Sequence, residues 1–169
     1  MDAIDDADPP AAAPHDLCAA IGTALFERLV PGGIPLTETT YSSGSDAGCD
    51  YRTANGGQVG SNSYGSLHVR LLRYGRVGWY SGSDRASHAL AESCDGTGAS
   101  GRFHGVPGLG DESCSAFEDE GADRTGRGSA IVRRGSDLFW VDYYTHPGTG
   151  DQAERAVTEV ALASLAGIP

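Results

Sequence analysis

The chain has 169 residues, with 12 basic and 23 acidic side chains, 25 glycines and 8 prolines. That length suits one domain with at most a tail, and no apolar run approaches the ~20 residues needed to cross a bilayer. A net charge of −11 excludes the basic patch on which nucleic-acid binding rests, and the absence of lysine removes Schiff bases, lysine general bases and the lysine of a phosphate loop.

Residues 1–14 are mostly Ala, Asp and Pro, too poor in apolar surface to fold, and read as a flexible acidic linker. The one methionine, Met1, stands before Asp2–Pro10 with no signal-peptide pattern around it, which fits a chain whose export segment lies outside this sequence. A single globular domain is expected over residues 15–169. Asp16 is a good N-cap for a first helix, in which Leu17, Ile21, Leu25 and Leu29 recur every four residues and Pro31-Gly32-Gly33 ends the run. Leu36–Tyr41 and Cys49–Thr53 read as two strands joined by a loose, Ser- and Gly-rich hairpin. A polar loop starts at Asn55-Gly56-Gly57.

Ser66–Tyr74 alternates cleanly: Leu67, Val69 and Leu71 share one face, and His68, Arg70, Leu72 and Tyr74 the other. Ser83 or Asp84 then caps a short helix through Cys94, with Ala86, Ala89, Leu90 and Cys94 inward; Gly96, Gly98 and Gly101 break it. The strongest local signal flanks Gly135-Ser136, a two-residue, glycine-first hairpin loop between Ser129–Arg134 and Asp137–Thr145. Its register sets Val132 against Phe139 and Ala130 against Val141 on one face, with Arg134 opposite Asp137 at the end. After Pro147-Gly148, Thr149 or Asp151 opens a last helix with Ala153, Val157, Val160, Ala161 and Leu165 on its apolar side. Hairpin-linked strands between helices predict an α+β fold. The expected form is a twisted antiparallel sheet covered on one side by N-terminal and C-terminal helices.

Four cysteines, Cys18, Cys49, Cys94 and Cys114, lie 31, 45 and 20 residues apart. None forms the close pairs of a zinc site. Two disulfides account for the even number and place the protein in an oxidising, extracytoplasmic compartment. Of the three possible connectivities, Cys18–Cys49 and Cys94–Cys114 each close a compact supersecondary unit.

The motifs of catalysis are missing. Gly44-Ser45-Asp46-Ala47-Gly48 sets its serine one place too early for a nucleophile elbow. The glycine-rich runs Gly56–Gly60 and Gly105–Gly110 lack the strand, helix and lysine of a nucleotide loop and read as turns. His15, His68, His88, His104 and His146 have no metal-ligand spacing, and the acidic run Asp111, Glu112, Glu118, Asp119, Glu120 and Asp123 lacks an EF-hand pattern. No catalytic residue, metal or cofactor is expected. Trp79-Tyr80, Trp140, Tyr143 and Tyr144 lie on or beside sheet elements, and apolar walls with a few polar groups make a binding cleft. The candidate binding residues are His68, Arg70, Tyr74, Trp79, Arg133 and Trp140.

Asp16-Leu17-Cys18 opening the first helix, Cys49-Asp50-Tyr51 on an early strand, Val106-Pro107-Gly108-Leu109-Gly110-Asp111-Glu112 and the closing hairpin and helix resemble a family of uncharacterised actinobacterial secreted lipoproteins and sensor-type domains. The likeness spans roughly residues 16–168 and extends to the extracytoplasmic heads of membrane serine/threonine kinases. It implies a twisted sheet with two disulfides forming a ligand cleft, and brings no catalytic residues to carry over. One departure is that no lipidation cysteine with its small-residue lead-in precedes the tail. The expected function is thus a non-enzymatic extracytoplasmic domain, a sensor head or tethered lipoprotein of the cell envelope. Its partner would be a small molecule, a peptide or an envelope protein, with the membrane reached only through a tether. A cell-envelope hydrolase and a structural or chaperone-like envelope protein are the alternatives.

Overall fold

The computed structural model describes residues 8–36, 40–53, 63–96, 104–120 and 124–169; for Gly96, Asp119 and Glu120 it describes the backbone alone. Helix α1 (Leu17–Ile21) is capped by the Asp16 carboxylate, which accepts from the Ala19 N–H at 2.9 Å. The expected single helix breaks at Gly22, whose φ of +123° is a conformation that side-chain-bearing residues rarely adopt. Helix α2 (Thr23–Leu29) starts afresh after it. The break turns the four-residue stripe: Leu17 and Ile21 are buried, but past Gly22 it is Phe26 and Val30 that enter the core, leaving Leu25 and Leu29 half-buried at its margin.

The first strands also differ from expectation. Of the strand expected over 36–41, residues 37–39 lie outside the described residues; two short strands, β1 (Gly33–Pro35) and β2 (Tyr41–Ser43), pair with opposite ends of β3 (Asp46–Thr53). The Leu36 N–H donates to the Asp50 carbonyl and the Thr40 hydroxyl accepts from the Asp50 N–H, so side chain and turn replace the missing strand bonds. Strand β4 (Tyr64–Arg73) follows, with Leu67, Val69 and Leu71 fully buried as its alternation predicts. Helix α3 (Gly82–Gly96) begins two or three residues earlier than expected. Ser81 is its cap: its hydroxyl accepts from the Asp84 N–H, and the Asp84 carboxylate accepts from the Ser81 N–H. The remaining strands are β5 (His104–Gly105), β6 (Glu112–Glu120), β7 (Thr125–Arg134) and β8 (Asp137–His146), before helix α4 (Gly150–Gly167). The polar loop from Asn55 through the run ending at Gly60, and the breaking glycines Gly98 and Gly101, lie outside the described residues.

All pairings are antiparallel, in the order β1–β3–β4–β8–β7–β6–β5 with β2 on β3. The final hairpin has the expected register, Val132 opposite Phe139, Ala130 opposite Val141 and Arg134 opposite Asp137, and Gly135 supplies the positive φ that its two-residue turn needs. Thr149 and Gln152 form a reciprocal capping box for α4. That helix lays Ala153, Ala156, Val157, Val160 and Ala161 on β6, β7 and β8. Gly126 lets it come close, since a Cβ there would meet the Thr149 carbonyl at 2.3 Å. The N- and C-terminal helices share one face of the sheet, around the main core. The other face is not bare, as a one-sided layer predicts: Ile131, Leu138 and Cys114 point there, and α3 covers them with Leu90, Ala89 and Cys94. Apolar residues at both phases of the β7–β8 alternation require cover on both sides.

Both disulfides form with the favoured pairing. Cys18–Cys49 ties α1 to β3 with 5.2 Å between Cα atoms, and Cys94–Cys114 ties α3 to β6 at 6.2 Å. At the chain ends, buried Arg73 donates to the carbonyls of Ala12 at 2.9 Å and Pro169 at 2.7 Å and pairs with Asp137 at 3.3 Å. Arg134 donates to the Ile168 and Leu165 carbonyls. Of the segment read as a linker, residues 8–14 lie along the fold. Asp8 pairs with Arg76 through backbone bonds, the Ala13 N–H donates to the Gly44 carbonyl, and the Ser42 hydroxyl donates to the Pro14 carbonyl.

Phe139 is fully buried in the main core, so Phe139→Ala should lower the unfolding free energy in urea by about 3–5 kcal/mol; a loss under ~1 kcal/mol would contradict this packing. Intact mass without reductant should fall short of the fully reduced chain by two hydrogens for each of the two bridges. Breaking either bridge by Cys→Ser exchange should cost roughly 3–4 kcal/mol.

Candidate functional site

Helix α3 covers one end of its sheet face and leaves the other end open. Strand alternation places four rows of side chains across this face, read from β3 through β4 and β8 to β7. Under and beside α3 run Asp46, Leu72, Leu138, Arg133 and then Gly48, Arg70, Trp140, Ile131. On the open end run Asp50, His68, Asp142, Ser129 and then Arg52, Ser66, Tyr144, Arg127. The open rows, with Tyr64, line a cavity of about 490 Å³, within the usual size of a small-molecule site.

The open rows are polar and internally matched. Arg52 donates through Nε and Nη2 to the two Asp50 carboxylate oxygens at 3.2 and 3.0 Å, a fork-to-fork pair with Asp50 buried. The Ser129 hydroxyl donates to Asp142 at 2.5 Å. The Arg127 guanidinium lies 5.6 Å from the Tyr144 ring centre, and Tyr64 meets Tyr144 edge-on at 5.6 Å. His68 stands between Asp50 and Asp142 in the row. Serine, aspartate and histidine adjoin here in the wrong order for a nucleophile relay, because Asp142 separates Ser129 from the imidazole that would have to take its proton. Among the described residues no set of three or more His, Cys, Asp or Glu side chains is arranged to hold a metal.

The six candidate binding residues divide among four places. His68 sits in the polar cavity. Arg70 holds Asp46 in a second fork at 2.9 and 3.3 Å and lies 5.5 Å from the Trp140 ring centre, so this pair forms a ridge between the open end and α3. Arg133 is spent on structure: with its side chain 11% exposed, it donates to Glu112, Ser83 and the Gly135 carbonyl and braces α3 against the sheet. Tyr74 and Trp79 line a second cavity of about 880 Å³ with Tyr80, Asp84, Arg85 and His88. Trp79 is 98% exposed at the tip of a turn closed by paired backbone bonds between Val77 and Tyr80. Tyr143 points the opposite way, into the main core, and donates to the Leu29 carbonyl. Two members of the acidic run hold the hairpin and α3: Asp111 accepts from the Gly135 N–H and Glu112 from Arg133 and Ser87; Asp123 lies outside the described residues.

Sequence reasoning did not single out Asp50, Arg52, Tyr64, Ser66, Arg127, Ser129 or Asp142 as binding residues. A signal existed: once Val132 is set against Phe139, the same register sets Ser129 against Asp142 on the face away from the core. The pairing of β4 with β8, which brings His68 beside them, has no local mark in the sequence.

The fold is similar to that of the extracellular domain of PknH from Mycobacterium tuberculosis, with a TM-score of 0.52 and 9% sequence identity over 92% of this chain and 98% of that one. No protein-family model and no curated protein matches the sequence.

Burial alone would raise the Asp46 carboxyl, but the hydrogen bonds from Arg70 and Tyr41 outweigh it and hold the pKa below its ordinary 3.8. A carboxyl lowered in the folded state contributes stability that is full above its unfolded pKa and is lost as pH falls through the folded value. Asp46→Asn should therefore destabilise the protein at neutral pH and flatten the acid-side fall in stability below about pH 4. Urea midpoints measured across pH check both effects.

Proposed function

We propose that residues 15–169 form a non-enzymatic extracytoplasmic recognition domain, and that it binds a small polar molecule in the cavity on the open end of the sheet. The observation that carries this reading is the cavity itself. Four adjacent strands converge nine polar or aromatic side chains on it, Asp50, Arg52, Tyr64, Ser66, His68, Arg127, Ser129, Asp142 and Tyr144, while the apolar half of the same face is sealed by a disulfide-anchored helix.

Other features support the reading. Two disulfides suit an oxidising compartment, and the fold likeness is to an extracellular domain. The Ser129 hydroxyl is bonded to Asp142 rather than to an imidazole, which favours binding over hydrolysis. His68 belongs to the floor of the site, and Arg70 and Trp140 hold the adjoining row in place.

Protein isolated from its own host with the disulfides intact should release, on denaturation, a small molecule of unaltered mass that protein carrying Tyr144→Ala and Asp142→Asn does not retain. Circular dichroism should show both proteins equally folded. Recovery of a chemically converted product, or equal retention by the variant, would contradict the proposal.

A further inference from the structure

We infer that the polar cavity takes a neutral, polyhydroxylated ligand, a saccharide, an inference that rests on the binding function proposed above. The charge of the lining carries it. Two carboxylates, Asp50 and Asp142, face two guanidinium groups, Arg52 and Arg127, and the charges are engaged by neighbours. Arg52 is forked onto Asp50, Asp142 accepts from Ser129, and Arg127 lies over Tyr144. An anion would need surplus cationic groups and a cation surplus carboxylates, because an unmatched charge taken out of water is costly.

What a balanced set of this kind offers is donors beside acceptors. Two of the five Arg52 N–H groups go to Asp50, and the Ser66 and Ser129 hydroxyls and the His68 ring can each give or take a hydrogen bond. Neighbouring hydroxyls on a sugar ring require that pairing, since each is at once donor and acceptor. A fork-to-fork Arg–Asp pair is already rigid, so little side-chain entropy is lost when it binds. The two tyrosines complete the match. Tyr64 and Tyr144 meet edge-on at the cavity wall, presenting apolar ring surface with a polar tip, which suits the C–H face of a pyranose whose hydroxyls point towards the aspartates.

The test uses the full oxidised chain, labelled with ¹⁵N, and amide shift perturbation with five probes: cellobiose, N,N′-diacetylchitobiose, glucuronate, inorganic phosphate and choline. At least one neutral disaccharide should move the amides of Ser66, His68, Ser129, Asp142 and Tyr144 together. Tyr144→Ala should weaken that binding about tenfold, the loss of one good aromatic contact. Ser129→Ala, which removes a single hydroxyl, gives a second reading should the tyrosine variant unfold. Phosphate, glucuronate or choline moving these amides while both disaccharides leave them still would overturn the saccharide assignment and leave the binding function standing. Disaccharide shifts centred on Trp79 instead would overturn the choice of cavity. If none of the five probes moves these amides, the saccharide inference falls and the proposed function loses its site.

Discussion

Ten residue pairs hold β4 against β8, from Tyr64 opposite His146 to Arg73 opposite Asp137, with no hairpin to join them. This long-range ladder fuses the N-terminal β1–β4 half of the sheet to the C-terminal β5–β8 half. A strand has a side-chain period of two, so a slip of one residue would carry Leu67, Val69 and Leu71 out of the core and bring His68 and Arg70 into it. The burial difference between those two sets is what selects the register. Once selected, it also lines up Asp50, His68, Asp142 and Ser129 across four strands. Core and candidate site are two sides of the same pairing.

The last pair of that ladder does further work. Arg73 and Asp137 sit side by side, and from there Arg73 reaches the carbonyls of Ala12 and Pro169 while Arg134 takes those of Leu165 and Ile168. Ala12 and the C-terminal residues 165–169 are thereby held over one corner of the sheet. Burial raises the Asp137 carboxyl above its usual value, even with Arg73 and Arg134 pulling it down. Its neutral form is thus favoured by folding, and its contribution to stability declines as pH rises through the raised value, the reverse of Asp46. The two aspartates bias the pH dependence of stability in opposite directions.

The second sheet face is divided by α3. Its position comes from three anchors: the Cys94–Cys114 bridge, the Arg133 contacts with Ser83 and Glu112, and the Ser81–Asp84 cap at its start. Where Ile131, Leu138 and Trp140 require cover, the helix supplies it; beyond the Arg70–Trp140 ridge the residues are polar and need none. A cavity results where the cover stops. Cover over the whole face would have buried Asp142, Arg52 and Arg127 away from water at a cost that only additional paired groups would offset.

Local chemistry made much of this molecule readable from the chain alone. Asp16 and Thr149 as caps, the Gly135-Ser136 turn, the Val132–Phe139 register, the β4 alternation and both disulfides depend on neighbours in sequence, or on two cysteines closing one compact unit. They follow from hydrogen bonding, glycine conformation and side-chain period. The break at Gly22, the short strands β1 and β2 at opposite ends of β3, the second helical layer and the docking of residues 8–14 were decided by packing. So was the site. Arg133 and Trp140 read as ligand residues until Glu112 and α3 come to rest on them, and Asp50, Ser129 and Asp142 have no meaning as a group until β3, β4, β8 and β7 lie side by side. Residues at positions 50, 68, 129 and 142 meet only through the non-local pairing of strands, and it is the burial of the whole apolar face, rather than any short stretch of chain, that selects it.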